Sequence, residues 1–209
     1  MGDYPDFSEW LDKKRFNHEL ENWRKDRHFD QYAALVDEAR TKEKLDTIFE
    51  FGCGAGFVPR HLKGPQFPKL YTGLDKSFLC VQQALKETGT EYWPWLEFKQ
   101  GDIRDWPEVQ YDLVCSFAVL KHFSLLEFPA IMKKFLSMGR FGLFSTQTAI
   151  GDLDDGEEAG YHHIWVTEKN LHKAIQDSGH SVVWQRPRWS GEWHGTRGEE
   201  KYVFTKREE

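Results

Sequence analysis

The chain has 209 residues, with 28 Lys and Arg against 34 Asp and Glu, which gives a formal net charge of −6. This length is sufficient for one sizeable hydrophobic core, so a single structural domain is the default expectation. The acidic balance provides no global field that would attract nucleic acid or an anionic membrane.

The cysteines and the N-terminus indicate the compartment. Cys53, Cys80 and Cys115 lack C-x-x-C spacing, which fits a reducing environment and argues against a disulfide framework or a zinc site. No apolar run approaches the roughly 18 residues of a transmembrane helix. The first residues, Met1–Asp6, lack the apolar core of a signal peptide. We therefore expect a cytoplasmic protein with no metal site and no membrane partner.

The N-terminal residues 1–45 are predicted to form a helical cap, and residues 46–209 the core of the same structural domain. Apolar residues recur at helical spacing in this segment, and Asp6 with Glu9 resembles a capping box. Such a stripe is usually buried against a sheet. A lid over a ligand cleft is the alternative.

After residue 45, apolar runs alternate with helical patterns, which predicts a parallel sheet covered by helices on both faces. The predicted strands are Thr47–Phe51, Lys69–Leu74, Leu96–Gln100, Tyr111–Phe117, Gly139–Thr146, Ser181–Gln185 and Lys201–Lys206. The predicted helices are Val58–Lys63, Ser77–Glu87, Leu125–Ser137 and Thr167–Ser178.

The ends of several elements carry their own signals. Ser77 and Thr167 are natural N-caps, and Gly64, Gly89 and Gly179 stand where helices are predicted to end. The last two strands are joined by Trp189–Glu200, which is too short for a crossover helix. We therefore expect an antiparallel terminal hairpin, in an α/β fold with a seven-stranded, mostly parallel sheet.

The first strand runs into Glu50, Gly52, Gly54 and Gly56. Glycines permit a sharp turn and let a ligand approach the backbone closely, which is typical of a nucleotide-type cofactor turn. A carboxylate before the first glycine suits a cationic or hydroxyl-bearing ligand better than a pyrophosphate. A dinucleotide fingerprint would also need a glycine where Phe57 stands.

An acid stands at the end of the second predicted strand. Ligands of doubly wound sheets lie outside the carboxyl ends of the strands, where Asp75 can accept hydrogen bonds from both hydroxyls of a ribose. Alternatively, Asp75 is only a favourable charge at a helix N-terminus.

Four segments between residues 46 and 123 together resemble the class I S-adenosylmethionine-dependent methyltransferases of the small-molecule type. They are the glycine turn, Asp75, Gln100–Ile103, and Tyr111–Phe123, which resembles motif IV of that family. The resemblance implies a Rossmann-like fold and S-adenosylmethionine as the cofactor. The cofactor-binding residues it implies are Glu50, Gly52, Cys53, Gly54, Gly56, Asp75, Lys76, Ser77, Asp102, Ile103, Ser116 and Phe117. Alternatively, Asp102 is only an ordinary turn residue.

The substrate side is predicted from motif IV and the loop after the fifth strand. Ser116-Phe117-Ala118-Val119 stands where the Asn-Pro-Pro-Tyr type of run would indicate methylation of exocyclic amines on DNA bases. We therefore expect a small-molecule acceptor, methylated at oxygen or nitrogen. The candidate bases are His122, His162 and His163, because an imidazole titrates near neutrality. Tyr161 and Trp165 are candidate substrate contacts or, equally, core residues.

Three alternatives remain at this point. The C-terminal hairpin interleaves Trp and Arg residues, which suits RNA or protein substrates as well as internal cation–π pairs. The acidic loop Gly151–Glu158 fits a metal or a cationic substrate, but an ordinary solvated loop is the simpler interpretation. The protein is alternatively an inactive module that binds S-adenosylmethionine.

Overall fold

The computed structural model describes residues 20–21, 28–64, 67–89, 93–149, 156–158, 163–193 and 196–208. The chain divides into two compact units, residues 1–102 and 103–209. The elements of the first unit are α1 (His28–Glu43), β1 (Thr47–Phe51), α2 (Phe57–Arg60), β2 (Leu70–Asp75), α3 (Phe78–Thr88) and β3 (Leu96–Gln100).

The second unit begins with β4 (Tyr111–Ser116) and a short 3₁₀ helix (Leu120–His122). The elements that follow are α4 (Phe128–Ser137), β5 (Gly139–Ala149), β6 (Gly156–Glu158), β7 (His163–Trp165), α5 (Glu168–Asp177), β8 (His180–Trp193) and β9 (Thr196–Arg207).

Seven strands form one sheet in the order β3-β2-β1-β4-β5-β9-β8. Within the first unit, β1 pairs with β2 and β2 with β3 in parallel. Within the second, β4 and β5 are parallel, whereas β9 is antiparallel to both β5 and β8. The predicted α/β fold with a mostly parallel seven-stranded sheet and an antiparallel last hairpin is confirmed.

The central strands are buried along almost their whole length. Four of the five residues of β1 and five of the six residues of β4 are buried. Strands covered on both faces contain continuous apolar runs rather than alternating patterns. This explains why these two strands were predictable from the sequence to within one residue.

Two helix starts and one helix end follow the predicted signals. The Ser77 hydroxyl accepts a hydrogen bond from the Cys80 N–H at the start of α3, and Thr167 accepts one from Asn170 at the start of α5. Helix α3 ends at Thr88 and is capped by Gly89, which has a φ of 54° and whose N–H donates to the Leu85 carbonyl. A left-handed residue at this point favours glycine.

Two predicted helix boundaries were wrong. Helix α2 ends at Arg60, and Gly64 instead lies against Asp37, whose Oδ2 accepts the Gly64 N–H at 2.9 Å. Helix α4 begins at Phe128 rather than Leu125. Ser124 and Glu127 exchange hydrogen bonds immediately before it, since each backbone N–H donates to the other side chain. This reciprocal arrangement holds the turn at residues 124–127, and Pro129, which has no N–H to donate back to this turn, follows at the first residues of α4.

The predicted connection Trp189–Glu200 was also wrong, because β8 extends to Trp193 and β9 begins at Thr196. The small antiparallel sheet of β6 and β7 was not predicted. Residues 156–158 of the predicted acidic loop belong to β6, and residues 151–155 lie outside the described residues. No helix within the described ranges is long and apolar enough to cross a membrane.

The predicted N-terminal helical segment is confirmed in part. Helix α1 covers residues 28–43, and Leu20 and Glu21 are also helical. The capping-box residues Asp6 and Glu9 lie outside the described residues. The division into a cap of residues 1–45 and a core of residues 46–209 stays a prediction.

Candidate functional site

The turn after β1 contains three left-handed glycines, which we call the glycine turn (Gly52–Gly56). Gly52, Gly54 and Gly56 have φ angles of 72°, 53° and 71°. Side chains resist this conformation, so glycine at every second position lets the chain turn repeatedly in a short space. The turn is also fastened to β2, because the N–H groups of Gly52 and Cys53 both donate to the Leu74 carbonyl, at 2.7 and 3.1 Å.

The two later glycines of the turn have different surroundings. A Cβ at Gly56 would lie 2.7 Å from the Phe98 ring and 3.0 Å from Ala84, so this glycine is needed for packing. A Cβ at Gly54 would meet nothing within 4 Å. The backbone at Gly54 is therefore open to a ligand.

Asp75 ends β2 and holds the glycine turn. Its Oδ2 accepts the Gly54 N–H and its Oδ1 accepts the Ser77 N–H, each at 2.8 Å. Burial raises the pKa of the Asp75 carboxyl, while these two N–H donors lower it. A carboxylate offers about four acceptor positions, so each oxygen can accept one further hydrogen bond.

Glu50 is a buried acid one residue before the end of strand β1, only 3% exposed. Its Oε2 accepts a hydrogen bond from the Tyr71 hydroxyl at 2.8 Å. Burial raises the pKa of Glu50 to about 8, Tyr71 opposes this shift, and the nearby Asp75 adds to it. A cation bound next to this buried carboxyl would favour its ionised form and lower its pKa again.

The ends of β2 and β3 are linked through polar side chains. The Lys76 ammonium lies 3.9 Å from Oδ2 of Asp102. The Gln100 amide donates to the Lys76 carbonyl at 3.4 Å. Ser77 has the capping role at α3 described above. The structure thus brings Glu50, the glycine turn, Asp75, Lys76, Ser77 and Asp102 together within the first unit.

The predicted cofactor residues of the second unit are Ile103, which lies before β4, and Ser116 and Phe117, which lie at and directly after the end of β4. Ile103 and Ser116 are fully buried, Phe117 is nearly so, and the Ser116 hydroxyl has no hydrogen-bond partner among the described residues. Ala118 follows with a φ of 59°, and its N–H donates to the Ser145 hydroxyl at 2.8 Å. A left-handed residue other than glycine is strained. The sequence analysis did not identify Ala118 or Tyr71.

The comparison with protein families decides the assignment. Residues 48–141 match the family described as a methyltransferase domain. They form a class I S-adenosylmethionine-dependent methyltransferase domain. The predicted family, enzyme class and cofactor are confirmed, since the match spans the glycine turn, Asp75, Asp102 and motif IV. No curated protein matches the chain.

Solved methyltransferase structures resemble the chain over most of its length. A magnesium protoporphyrin IX methyltransferase from Synechocystis PCC 6803, solved with bound S-adenosylmethionine, is 18% identical, with a TM-score of 0.64 over 86% of this chain and 79% of the other. An S-adenosylmethionine-dependent methyltransferase from Clostridium acetobutylicum ATCC 824 is 13% identical, with a TM-score of 0.69 over 94% and 99%. Mitomycin 7-O-methyltransferase is 17% identical, with a TM-score of 0.68 over 95% and 59%. At these identities the likeness shows a shared fold.

Two of the three candidate bases, His122 and His163, lie among the described residues. His122 is half-buried and ends the 3₁₀ helix of motif IV, where its N–H donates to the Val119 carbonyl at 2.9 Å. His163 begins β7, while Tyr161 and His162 lie outside the described residues. Trp165, at the end of β7, is half-buried. The assignment of a base therefore stays a prediction.

A small apolar cluster covers the glycine turn in the first unit. Leu20 is buried with Ala55, Phe57 and Cys80, and Phe29 stacks on Phe57 with ring centroids 4.4 Å apart. The helical residues before β1 therefore contact the turn itself. Among the described residues, no group of His, Cys, Asp or Glu is arranged to hold a metal ion.

Proposed function

We propose that the protein transfers the methyl group of S-adenosylmethionine to an oxygen or nitrogen of a small-molecule acceptor. The sulfonium of this cofactor already activates the methyl group, so the protein must mainly align donor and acceptor and remove a proton where needed. Two proteins of similar fold are named for small substrates, magnesium protoporphyrin IX and mitomycin. The departure of motif IV from the DNA-methylating pattern supports the same acceptor class.

The main support for the cofactor site is the open backbone of Gly54, which lies beside the buried acid Glu50 and the half-buried Asp75. In the proposed site, an adenosyl group approaches the glycine turn, and the ribose hydroxyls donate to the free acceptor positions of Asp75. The methionine ammonium interacts with Glu50, whose ionised form it favours. Asp102 is the proposed contact of the adenine amino group. Ile103, Ser116 and Phe117 stay predicted cofactor contacts.

Isothermal titration calorimetry tests the cofactor site. We expect saturable binding of S-adenosylhomocysteine and no saturable binding of NAD. Binding of NAD alone would contradict the proposal. Turnover of S-adenosylmethionine with a labelled methyl group, measured across a panel of hydroxyl- and amine-bearing metabolites, tests the reaction. Cofactor binding without turnover on any acceptor class would favour the inactive module.

The RNA alternative is weakened by contacts within the hairpin. The Arg186 guanidinium lies over the Trp184 ring, 4.2 Å from its centroid, and Arg188 pairs with Glu200. These cations already serve the fold, which supports the structural interpretation of the Trp/Arg pattern. RNA binding that weakens steeply with salt would favour the alternative, because phosphate contacts release counterions.

A further inference from the structure

The chain of motif IV bends at Ala118, two residues after the end of β4. Ala118 has a φ of 59°, a left-handed conformation that residues with a Cβ rarely adopt. Lys44 shares this conformation, but it directly follows the end of α1, where a left-handed residue is ordinary. Ala118 ends no α-helix. Its conformation costs free energy and persists only where the surrounding structure holds it in place.

The contact that holds Ala118 comes from β5. The Ala118 N–H donates a 2.8 Å hydrogen bond to the hydroxyl of Ser145, a residue that is only 1% exposed. In the parallel ladder of β4 and β5, the last pair joins Ser116 to Phe144. Ser145 is therefore the first residue of β5 beyond this ladder. Its side chain takes over from the ladder in holding the chain that leaves β4.

The residues on both sides of the bend are anchored. Phe117, directly before Ala118, is 6% exposed, and Leu120 is fully buried. A change of Ala118 to the usual right-handed conformation would rotate φ by roughly 120°. Such a rotation would displace Phe117 relative to the 3₁₀ helix that begins at Leu120. The left-handed conformation of Ala118 therefore sets the position of Phe117.

A second unfavourable feature lies in the same segment. The Ser116 hydroxyl is fully buried and has no hydrogen-bond partner among the described residues. An unsatisfied buried hydroxyl costs folding free energy, as does the strained backbone of Ala118. Two such costs within three residues are typical of a segment that is shaped for a ligand rather than for stability.

We propose that Ser145 is a positioning residue for methyl transfer, because its hydroxyl holds Ala118 in the left-handed conformation and thereby keeps Phe117 in place to contact the cofactor. Ser145 acts through the backbone of Ala118 rather than on the cofactor. This inference rests on the proposed S-adenosylmethionine site, to which it adds a residue of β5 outside the four segments that resemble the family.

The test measures the affinity for S-adenosylhomocysteine by calorimetry on the full-length protein. In Ser145→Ala the left-handed form of Ala118 loses its hydrogen bond, so the segment should adopt the binding conformation in only a fraction of the molecules. Apparent affinity falls in proportion to that fraction, and a population of about 10% would give the expected loss of about tenfold. Thr146→Val is the matched control, since Thr146 is also buried but faces the opposite side of β5. It should leave the affinity unchanged.

A double variant shows whether Ser145 acts through Ala118. Glycine adopts a positive φ without strain, so Ala118→Gly added to Ser145→Ala should restore the affinity to within about threefold of the wild type. A role of Ser145 in packing alone would not be rescued in this way, because glycine at position 118 restores no contact at position 145. In the otherwise wild-type chain, Ala118→Gly should leave the affinity unchanged and should not lower the melting temperature.

A further variant guards against misfolding. Ser145→Cys retains the side-chain volume but offers only a weak acceptor, so it replaces Ser145→Ala if that variant does not melt cooperatively. The inference is overturned if the folded variant without the hydroxyl binds S-adenosylhomocysteine as tightly as the wild type. It is also overturned if Ala118→Gly does not restore the affinity, or if Thr146→Val weakens it equally. Failure of the wild-type protein to bind S-adenosylhomocysteine would instead overturn the proposed function.

Discussion

The Tyr71 hydroxyl donates a 2.8 Å hydrogen bond to Glu50, which joins β1 and β2 below the glycine turn. The two side chains share one face of the sheet, because Tyr71 pairs with Ile48 and Glu50 pairs with Gly73. One hydrogen bond does not compensate for the burial of an ionised carboxylate. Ionised Glu50 thus costs stability in the absence of a cation, which is the usual pattern for a residue retained for binding.

We predict that Glu50→Gln stabilises the cofactor-free protein at alkaline pH. The pKa of Glu50 is about 8 in the folded protein, against an ordinary value of 4.5. A raised pKa contributes stability that is fully present below about pH 4.5 and is lost as the pH rises through about 8. The difference between variant and wild type should therefore grow by about 1.4 kcal/mol per pH unit across this window. Urea unfolding at several pH values measures it.

Tyr71→Phe is the control for this first prediction. It removes the donor that favours ionised Glu50, so the pKa of Glu50 should rise further and the alkaline loss of stability should persist. A stability difference between Glu50→Gln and wild type that does not change with pH would show that Glu50 is already ionised in the folded protein.

The second prediction concerns protons released on cofactor binding. Near pH 7 the Glu50 carboxyl is mostly protonated, because its pKa is about 8. A bound methionine ammonium favours the ionised form, so S-adenosylhomocysteine should displace up to about one proton. Calorimetry at pH 7 in phosphate and in imidazole detects the proton as a buffer-dependent enthalpy. Identical enthalpies in the two buffers, or an unchanged proton count in Glu50→Gln, would refute the proposed contact.

The third prediction separates the two roles of Asp75. Asp75→Asn keeps most of the side-chain shape but replaces one acceptor oxygen with a donor, which opposes either the Gly54 or the Ser77 N–H. We expect affinity for S-adenosylhomocysteine to fall by about 1.5–3 kcal/mol, the range for hydrogen bonds to charged groups. Asp46→Asn is the control, since Asp46 forms an exposed pair with Lys69 at the opposite end of the same strands. Equal affinity in Asp75→Asn and wild type would limit Asp75 to fastening the turn.

The sequence predicted which residues of the first unit form the site, but it did not predict the contacts between them. Glycine spacing and strand-end acids are local patterns, so the glycine turn, Asp75 and the Ser77 cap could be identified directly. The Tyr71 contact with Glu50 depends on the register between two strands, which local patterns do not specify. The same holds for the Ala118 contact with Ser145.

The terminal hairpin shows why the predicted lengths of its two strands were too short. Gly and Pro between residues 186 and 200 disfavour a continuous strand, so this segment was predicted as a connection. In the structure, antiparallel pairing between β8 and β9 satisfies the backbone, and register shifts at Val182/Trp184 and Pro187/Trp189 absorb the irregular residues. Long-range pairing therefore overrides local propensity here.

The fourth prediction tests whether the N-terminal segment is a lid. Deletion of residues 1–27 removes Leu20 from its contact with Ala55, Phe57 and Cys80. The truncated protein should melt cooperatively and lose roughly 1.5–3 kcal/mol, the burial of one leucine. It should also bind S-adenosylhomocysteine more weakly and transfer methyl more slowly. Leu20→Ala in the full chain is the matched variant that retains the segment. Loss of the cooperative transition on deletion would make the segment part of the core instead.

The fifth prediction concerns the base and needs an acceptor identified by the turnover assay. His122, His162 and His163 are each changed to Asn, which keeps a polar side chain but cannot take up a proton near neutrality. Turnover is measured at saturating S-adenosylmethionine, and affinity for S-adenosylhomocysteine is measured in parallel. Loss of a true base should lower the rate by about 10²–10⁴ while that affinity is retained.

His122 is the variant with the clearest structural expectation, because its N–H is held within the 3₁₀ helix by the Val119 carbonyl. Since Asn retains this backbone contact, a lower rate with unchanged folding would come from the side chain. A base also gives a limb in the pH–rate profile near its pKa, and that limb should disappear in the variant. If all three variants keep nearly normal turnover, positioning alone or another group accounts for the reaction, and none of these histidines is the base.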